Sequence, residues 1–84
     1  MEYFEKLKKD ENKYKRIIDL YEYLDFEVSD ENISNDIEHD YLTENVGRDG
    51  KEYFWYFDEN KSAAIEIATG NIITDNDIID GLFC

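Results

Sequence analysis

Residues 53–57 read Tyr-Phe-Trp-Tyr-Phe, five aromatic side chains in succession. A strand turns successive side chains to opposite faces, so Tyr53, Trp55 and Phe57 point one way and Phe54 and Tyr56 the other. A sheet built around this strand therefore needs a covering less polar than water on both faces. The chain has 84 residues to supply it, and a domain of that size buries only about 60 to 65% of the surface its unfolded chain exposes. Its core must be dense. Ten isoleucines and thirteen aromatics among the 84 residues provide the material.

The neighbouring segments continue the sheet. "YLTENV" (41–46), "EYFWYF" (52–57), "AAIEIA" (63–68) and "NIIT" (71–74) are separated by "GRDGK", "DENKS" and "TG". The Asp-Gly and Thr-Gly pairs suit the positive φ that tight hairpins require, and a three- to four-stranded antiparallel meander is predicted.

Phe4, Leu7, Tyr14, Ile18, Tyr21 and Leu24 recur at spacings of three, four or seven, which predicts a long amphipathic helix over 3–25. Asp10, Glu11 and Asn12 mark a place where it can break, with a second helix from about Lys13. Further on, "FEV" (26–28) alternates like a strand. Ile33, Ile37 and Tyr41 fall four apart behind Ser29 or Asp30 as cap, predicting a short acidic helix at about 30–40. At the end, Thr74 as cap, Asp75 and Asp77 at the positive helix terminus, and Ile78, Ile79, Leu82 and Phe83 on one face predict a short C-terminal helix. The fold class is α+β in one domain, 1–84: a long N-terminal helix packed on the meander, with a short middle and a short C-terminal helix. One face of the sheet is expected to meet the N-terminal helix. The other is left to the acidic middle segment and C-terminal turn, or to a partner.

Charge is distributed unevenly along the chain. Twenty-two acidic residues against nine basic give a net charge of −13. Lys6, Lys8, Lys9, Lys13, Lys15 and Arg16 lie near the start, whereas 17–47 contains no Lys or Arg and ten carboxylates. Such a field repels nucleic acid and anionic membrane and attracts basic surfaces, which disfavours direct nucleic-acid or membrane binding. No stretch has the roughly 18 apolar residues of a membrane span or the layout of a signal peptide, and a cytoplasmic protein is expected. The abundance of Lys, Asn and Ile fits an AT-rich coding sequence, as in a low-GC bacterium or its phages.

Catalytic chemistry finds little support. His39 is the only histidine and sits between Glu38 and Asp40, as a surface residue would. Four glycines form no phosphate loop, and the single cysteine, Cys84, has no partner for a disulfide or a metal cluster. "DENISNDIEHDY" offers Asp30 and Asn32 at calcium-loop positions one and three. Asn35 then stands where Gly is required and Tyr41 where Glu is required, and "DENKSAAIEIAT" fails likewise at Ala63 and Thr69. No enzyme, metal or cofactor is expected.

What remains is a binding protein with a basic partner. Duplex DNA carries one charge per about 1.7 Å of axis, and carboxylates on a small scaffold can occupy the groove of a nuclease or other nucleic-acid enzyme in its place. In size and charge alone the chain is similar to small acidic phage proteins that block restriction, repair or CRISPR nucleases. No motif carries the likeness. The residues expected to form such a face are Asp25, Glu27, Asp30, Glu31, Asp36, Glu38, Asp40 and Glu44, with Tyr41 and Tyr56, and also Tyr21 and Tyr23, as contact anchors. Two other readings stand beside it: an immunity protein or antitoxin covering a toxin nuclease, and a soluble acidic domain whose carboxylates only keep it in solution. The protein acts as a monomer or homodimer in any of these.

Overall fold

The computed structural model describes residues 2–84. In chain order the elements are α1 (Glu2–Lys9), α2 (Glu11–Tyr23), α3 (Asp30–Glu38), β1 (Leu42–Val46), β2 (Glu52–Phe57), β3 (Ser62–Glu66), β4 (Ile72–Ile73) and α4 (Asn76–Phe83). The strands form one antiparallel sheet in the order β1-β2-β3-β4, the predicted meander.

The N-terminal helix is divided, and the break falls earlier than Lys13. Asp10 has extended backbone angles (φ −93°, ψ 96°) and its side chain accepts from the Lys13 N–H at 3.1 Å, so it caps α2 from Glu11 onward. Here a short polar side chain outcompetes the helical backbone for a donor. "FEV" forms no strand: residues 26–28 lie in the irregular return from α2 to α3.

Register fixes the two faces of the sheet. Leu42 opposes Tyr56, Tyr56 opposes Ala63, and Phe54 opposes Ile65, all on one side. Against them pack Phe4 and Leu7 of α1, Ile17, Leu20 and Tyr21 of α2, and Ile33 of α3. Tyr53, Trp55 and Phe57 take the other side with Ala64. There α4 supplies the cover: Phe83 stacks on Trp55 (centroids 5.0 Å apart, planes 19°) and meets Tyr53 edge-on at 5.4 Å, and Ile79 is buried.

The acidic middle helix thus shares the face of α1 and α2, and the C-terminal helix alone covers the second. Ile33 and Ile37 settle this, because α3 has one apolar stripe and it joins the same core as α2. Phe57, at the end of β2, stays 55% exposed. No helix among the described residues is long and apolar enough to cross a membrane.

Candidate functional site: an acidic end of the sheet

The two helices beneath the sheet end in the same way. After α2, Phe26 N–H bonds the Tyr21 carbonyl at 3.0 Å and Asp25 N–H bonds that of Glu22 at 3.1 Å. After α3, Tyr41 N–H bonds the Asp36 carbonyl at 2.8 Å and Asp40 N–H bonds that of Ile37 at 3.2 Å. Each is a Schellman closure, whose pivotal residue adopts a left-handed backbone and is most often glycine. Here both pivots are aspartate, Asp25 at φ 61° and Asp40 at φ 60°. Both side chains are exposed and both sit at the negative end of a helix dipole. The helix dipole disfavours a carboxylate at these positions, and the left-handed backbone costs aspartate more than it would cost glycine.

Both helix ends lie at one end of the sheet. Lys61, from the β2–β3 turn, donates to the Leu24 carbonyl at 2.7 Å and lies 4.6 Å above the Phe26 ring. Phe26 meets Tyr56 edge-on at 4.9 Å, and Tyr41 accepts the Phe57 N–H at 2.8 Å. Glu27 and Asp36 line one shallow hollow beside Tyr56, and Asp58 and Glu59 line another with Tyr41. Asp25, Glu27, Asp36, Asp40, Asp58 and Glu59 are thereby gathered around two tyrosines, with Lys61 among them.

Asp58 organises this end. One of its oxygens accepts the backbone N–H groups of Asn60 and Lys61, each at 2.7 Å, and the other accepts the Tyr56 hydroxyl at 2.6 Å. The Tyr56 hydrogen bond, followed by the backbone donors, holds the Asp58 carboxyl below the usual carboxylate range. Burial, then the bond to Asp58, raises the Tyr56 hydroxyl.

The sequence-predicted residues separate into two sets. Asp25, Glu27, Glu31, Glu38 and Asp40 are exposed and form no ion pair among the described residues. Asp30, Asp36 and Glu44 are bonded to other side chains of the molecule, Asp30 while remaining exposed. Asp30 accepts from Lys8 at 2.7 Å and from the Tyr14 hydroxyl at 2.5 Å; the Lys8 and Tyr14 bonds lower its carboxyl, and Tyr14 is pushed up to about 12. Glu44 takes Lys13 on one oxygen at 2.7 Å and the Tyr3 hydroxyl on the other at 2.6 Å. Asp36 accepts from the buried Tyr21 hydroxyl at 2.5 Å. The lysines segregated near the start of the chain thus anchor part of the acidic stretch rather than facing away from it.

The tyrosine anchors need correction. Tyr56 is 4% exposed and Tyr21 fully buried, both packed in the aromatic cluster beneath the sheet, so neither ring presents a contact surface. Tyr41 and Tyr23 are exposed, at 43% and 56%. Tyr41 stacks on His39 (5.8 Å, 17°), whose Nδ1 lies 2.7 Å from the Asn35 carbonyl at the end of α3. Asp58 and Glu59 were not predicted, because they lie eleven or more residues beyond the lysine-free stretch that ends at Gly47. Their "DEN" turn between two strands was the available signal, since a hairpin returns its tip to the sheet end where the preceding helix stops.

Among the described residues, no group of three or more His, Cys, Asp or Glu side chains is arranged to hold a metal ion. Comparison with protein-family models, curated proteins and solved structures gives no match to the chain.

Proposed function

We propose that the protein is a small inhibitor that binds the cationic nucleic-acid-binding surface of a nuclease or similar enzyme, presenting carboxylates where the enzyme expects phosphates. The observation that carries this reading is the placement of Asp25 and Asp40. A carboxylate needed only for solubility has many neutral positions on a surface; these two occupy left-handed pivots at the negative ends of helices. Strain retained at exposed charged positions points to use of the charge. The same end of the molecule carries Glu27, Asp58 and Glu59 and the exposed Tyr41. Schellman closures fix the backbone at Asp25 and Asp40, and the Asp58 carboxylate ties down the turn that carries Glu59. A fixed array of charge loses little entropy on docking.

The test is competition. The protein is titrated into DNA- and RNA-cleaving enzymes in the presence of duplex or single-stranded competitor. Inhibition of a susceptible enzyme weakens steeply between about 50 and 200 mM salt, as counterion release demands. It is abolished by joint Asp25→Lys, Glu27→Lys, Asp40→Lys and Glu59→Lys changes that leave the circular dichroism intact. Inhibition that ignores salt and survives these four reversals refutes the reading.

A further inference from the structure

The outer edge of β1 has a second property that the acidic end does not explain. Tyr41 accepts from the Phe57 N–H and Gly47 donates to the Lys51 carbonyl, both at 2.8 Å. By the alternation of an antiparallel pair, Tyr41, Thr43, Asn45 and Gly47 turn their backbone groups toward β2, and Leu42, Glu44 and Val46 turn theirs away. β1 is the edge of the sheet. Among the described residues these outward N–H and C=O groups meet no hydrogen-bonding partner. A groove of about 440 Å³ follows the whole strand, walled by Tyr3 and Ile37.

We propose that this edge receives an extended segment of the partner, which adds a fifth strand beside β1. The proposal rests on the reading of the protein as the ligand of a cationic enzyme. Charge identifies the segment. Asp40 stands at one end of the groove and Glu52, opposite Val46, at the other. Between them both Glu44 oxygens are already satisfied by Lys13 and Tyr3. The matching strand carries Lys or Arg near both ends and uncharged residues in the middle. A second copy of this chain fits poorly: antiparallel pairing through 42–46 sets Glu44 against Glu44, between molecules of net charge −13. Strand addition takes its affinity from the main chain and its selectivity from alternate side chains.

The probe is a synthetic peptide with two lysines at each end and alternating threonine and valine between, followed by amide hydrogen exchange. Peptide binding slows exchange at Leu42, Glu44 and Val46 and leaves Thr43 and Asn45 as they were. Val46→Pro removes one outward donor without touching the β1–β2 ladder, which edge strands tolerate, and weakens binding about tenfold. The paired Asp40→Asn and Glu52→Gln changes, which leave the backbone intact, weaken it as well. Absence of binding, protection confined to other segments, or protection that grows with protein concentration before any peptide is added overturns the proposal; the last result assigns the edge to a second copy. Inhibition that depends on Asp25 and Glu59 yet is untouched by Val46→Pro overturns strand addition and leaves the inhibitor reading standing. A peptide that docks on β1 of a protein inhibiting no enzyme has the opposite consequence.

Discussion

The Tyr21 hydroxyl reaches Asp36 at 2.5 Å from a ring that is wholly buried, tying α2 to α3 through the one polar atom the ring possesses. Burial, then the bond to Asp36, raises the Tyr21 hydroxyl far above the usual tyrosine range. Tyr21→Phe keeps the packing against Phe26 and Tyr56 and leaves Asp36 without its donor. A hydrogen bond to a charged group contributes about 2 kcal/mol. The urea midpoint is expected to fall accordingly at unchanged slope, and an unaltered midpoint shows that solvent satisfies Asp36 equally well.

On the opposite face, α4 is held by the buried Ile79 and by Phe83, which lies against Trp55 and Tyr53. Phe83→Ala removes the stacked ring, exposes Trp55 and destabilises the protein by about 2 to 3 kcal/mol. Because Trp55 is the only tryptophan, its emission maximum reads the change directly and moves to longer wavelength in the variant. An unshifted maximum means another residue covers the indole.

Period and turn chemistry made most of the fold legible. Strands with hairpin signals at 47–51 and 69–70 lie close to where alternation places them, and Ser29 caps α3 as expected, whereas α2 is capped by Asp10 rather than starting at Lys13 and α4 by Asp75 rather than Thr74. Which face of the sheet each helix covers was not legible, because "FEV" suits a strand or an irregular return equally well and only the packing of Ile33 decides. The candidate site was half legible. A lysine-free run identifies carboxylates, but whether one is free or tied up depends on partners such as Lys8 and Lys13, which lie 22 and 31 residues away. Nothing local distinguishes Asp30, which pairs with Lys8, from Glu31, which forms no ion pair among the described residues. The left-handed pivots escaped for a related reason: glycine advertises positive φ, and aspartate does not.

Tyrosine hydroxyls bonded to carboxylates also fix the response to alkali. Tyr3, Tyr14, Tyr21, Tyr53 and Tyr56 each donate to a carboxylate, and all are raised, Tyr14 and Tyr53 to about 12. A folded-state value above the unfolded one means the stabilisation is complete below about pH 10 and is lost as pH rises from there through the folded values. Stability is therefore expected to decline from about pH 10 toward 12, with tyrosinate absorbance and loss of helical circular dichroism rising together. On the acid side the sign reverses. Asp30, Asp49 and Asp58 are lowered by their tyrosine, lysine and backbone donors, so what they contribute is present above about pH 4 and lost as pH falls below it. Tyrosinate absorbance that rises well before the fold is lost contradicts the alkaline half.

Asp25 and Asp40 allow stability and binding to be driven in opposite directions by one substitution. Glycine at a left-handed pivot relieves the steric cost carried by a side chain, and removing the carboxylate relieves its repulsion from the helix terminus. Asp25→Gly and Asp40→Gly are each expected to stabilise the protein by about 1 kcal/mol, additively, because each acts on its own helix. The same changes delete two charges from the proposed contact surface and are expected to weaken inhibition of the target enzyme, most strongly at low salt, where the charges act at longest range. A carboxylate present only to keep the chain in solution predicts the first effect without the second. Thermal melts and inhibition curves on the same two variants separate these alternatives: a gain in melting temperature with unchanged inhibition removes Asp25 and Asp40 from the interface, and no gain removes the strain on which their assignment rests.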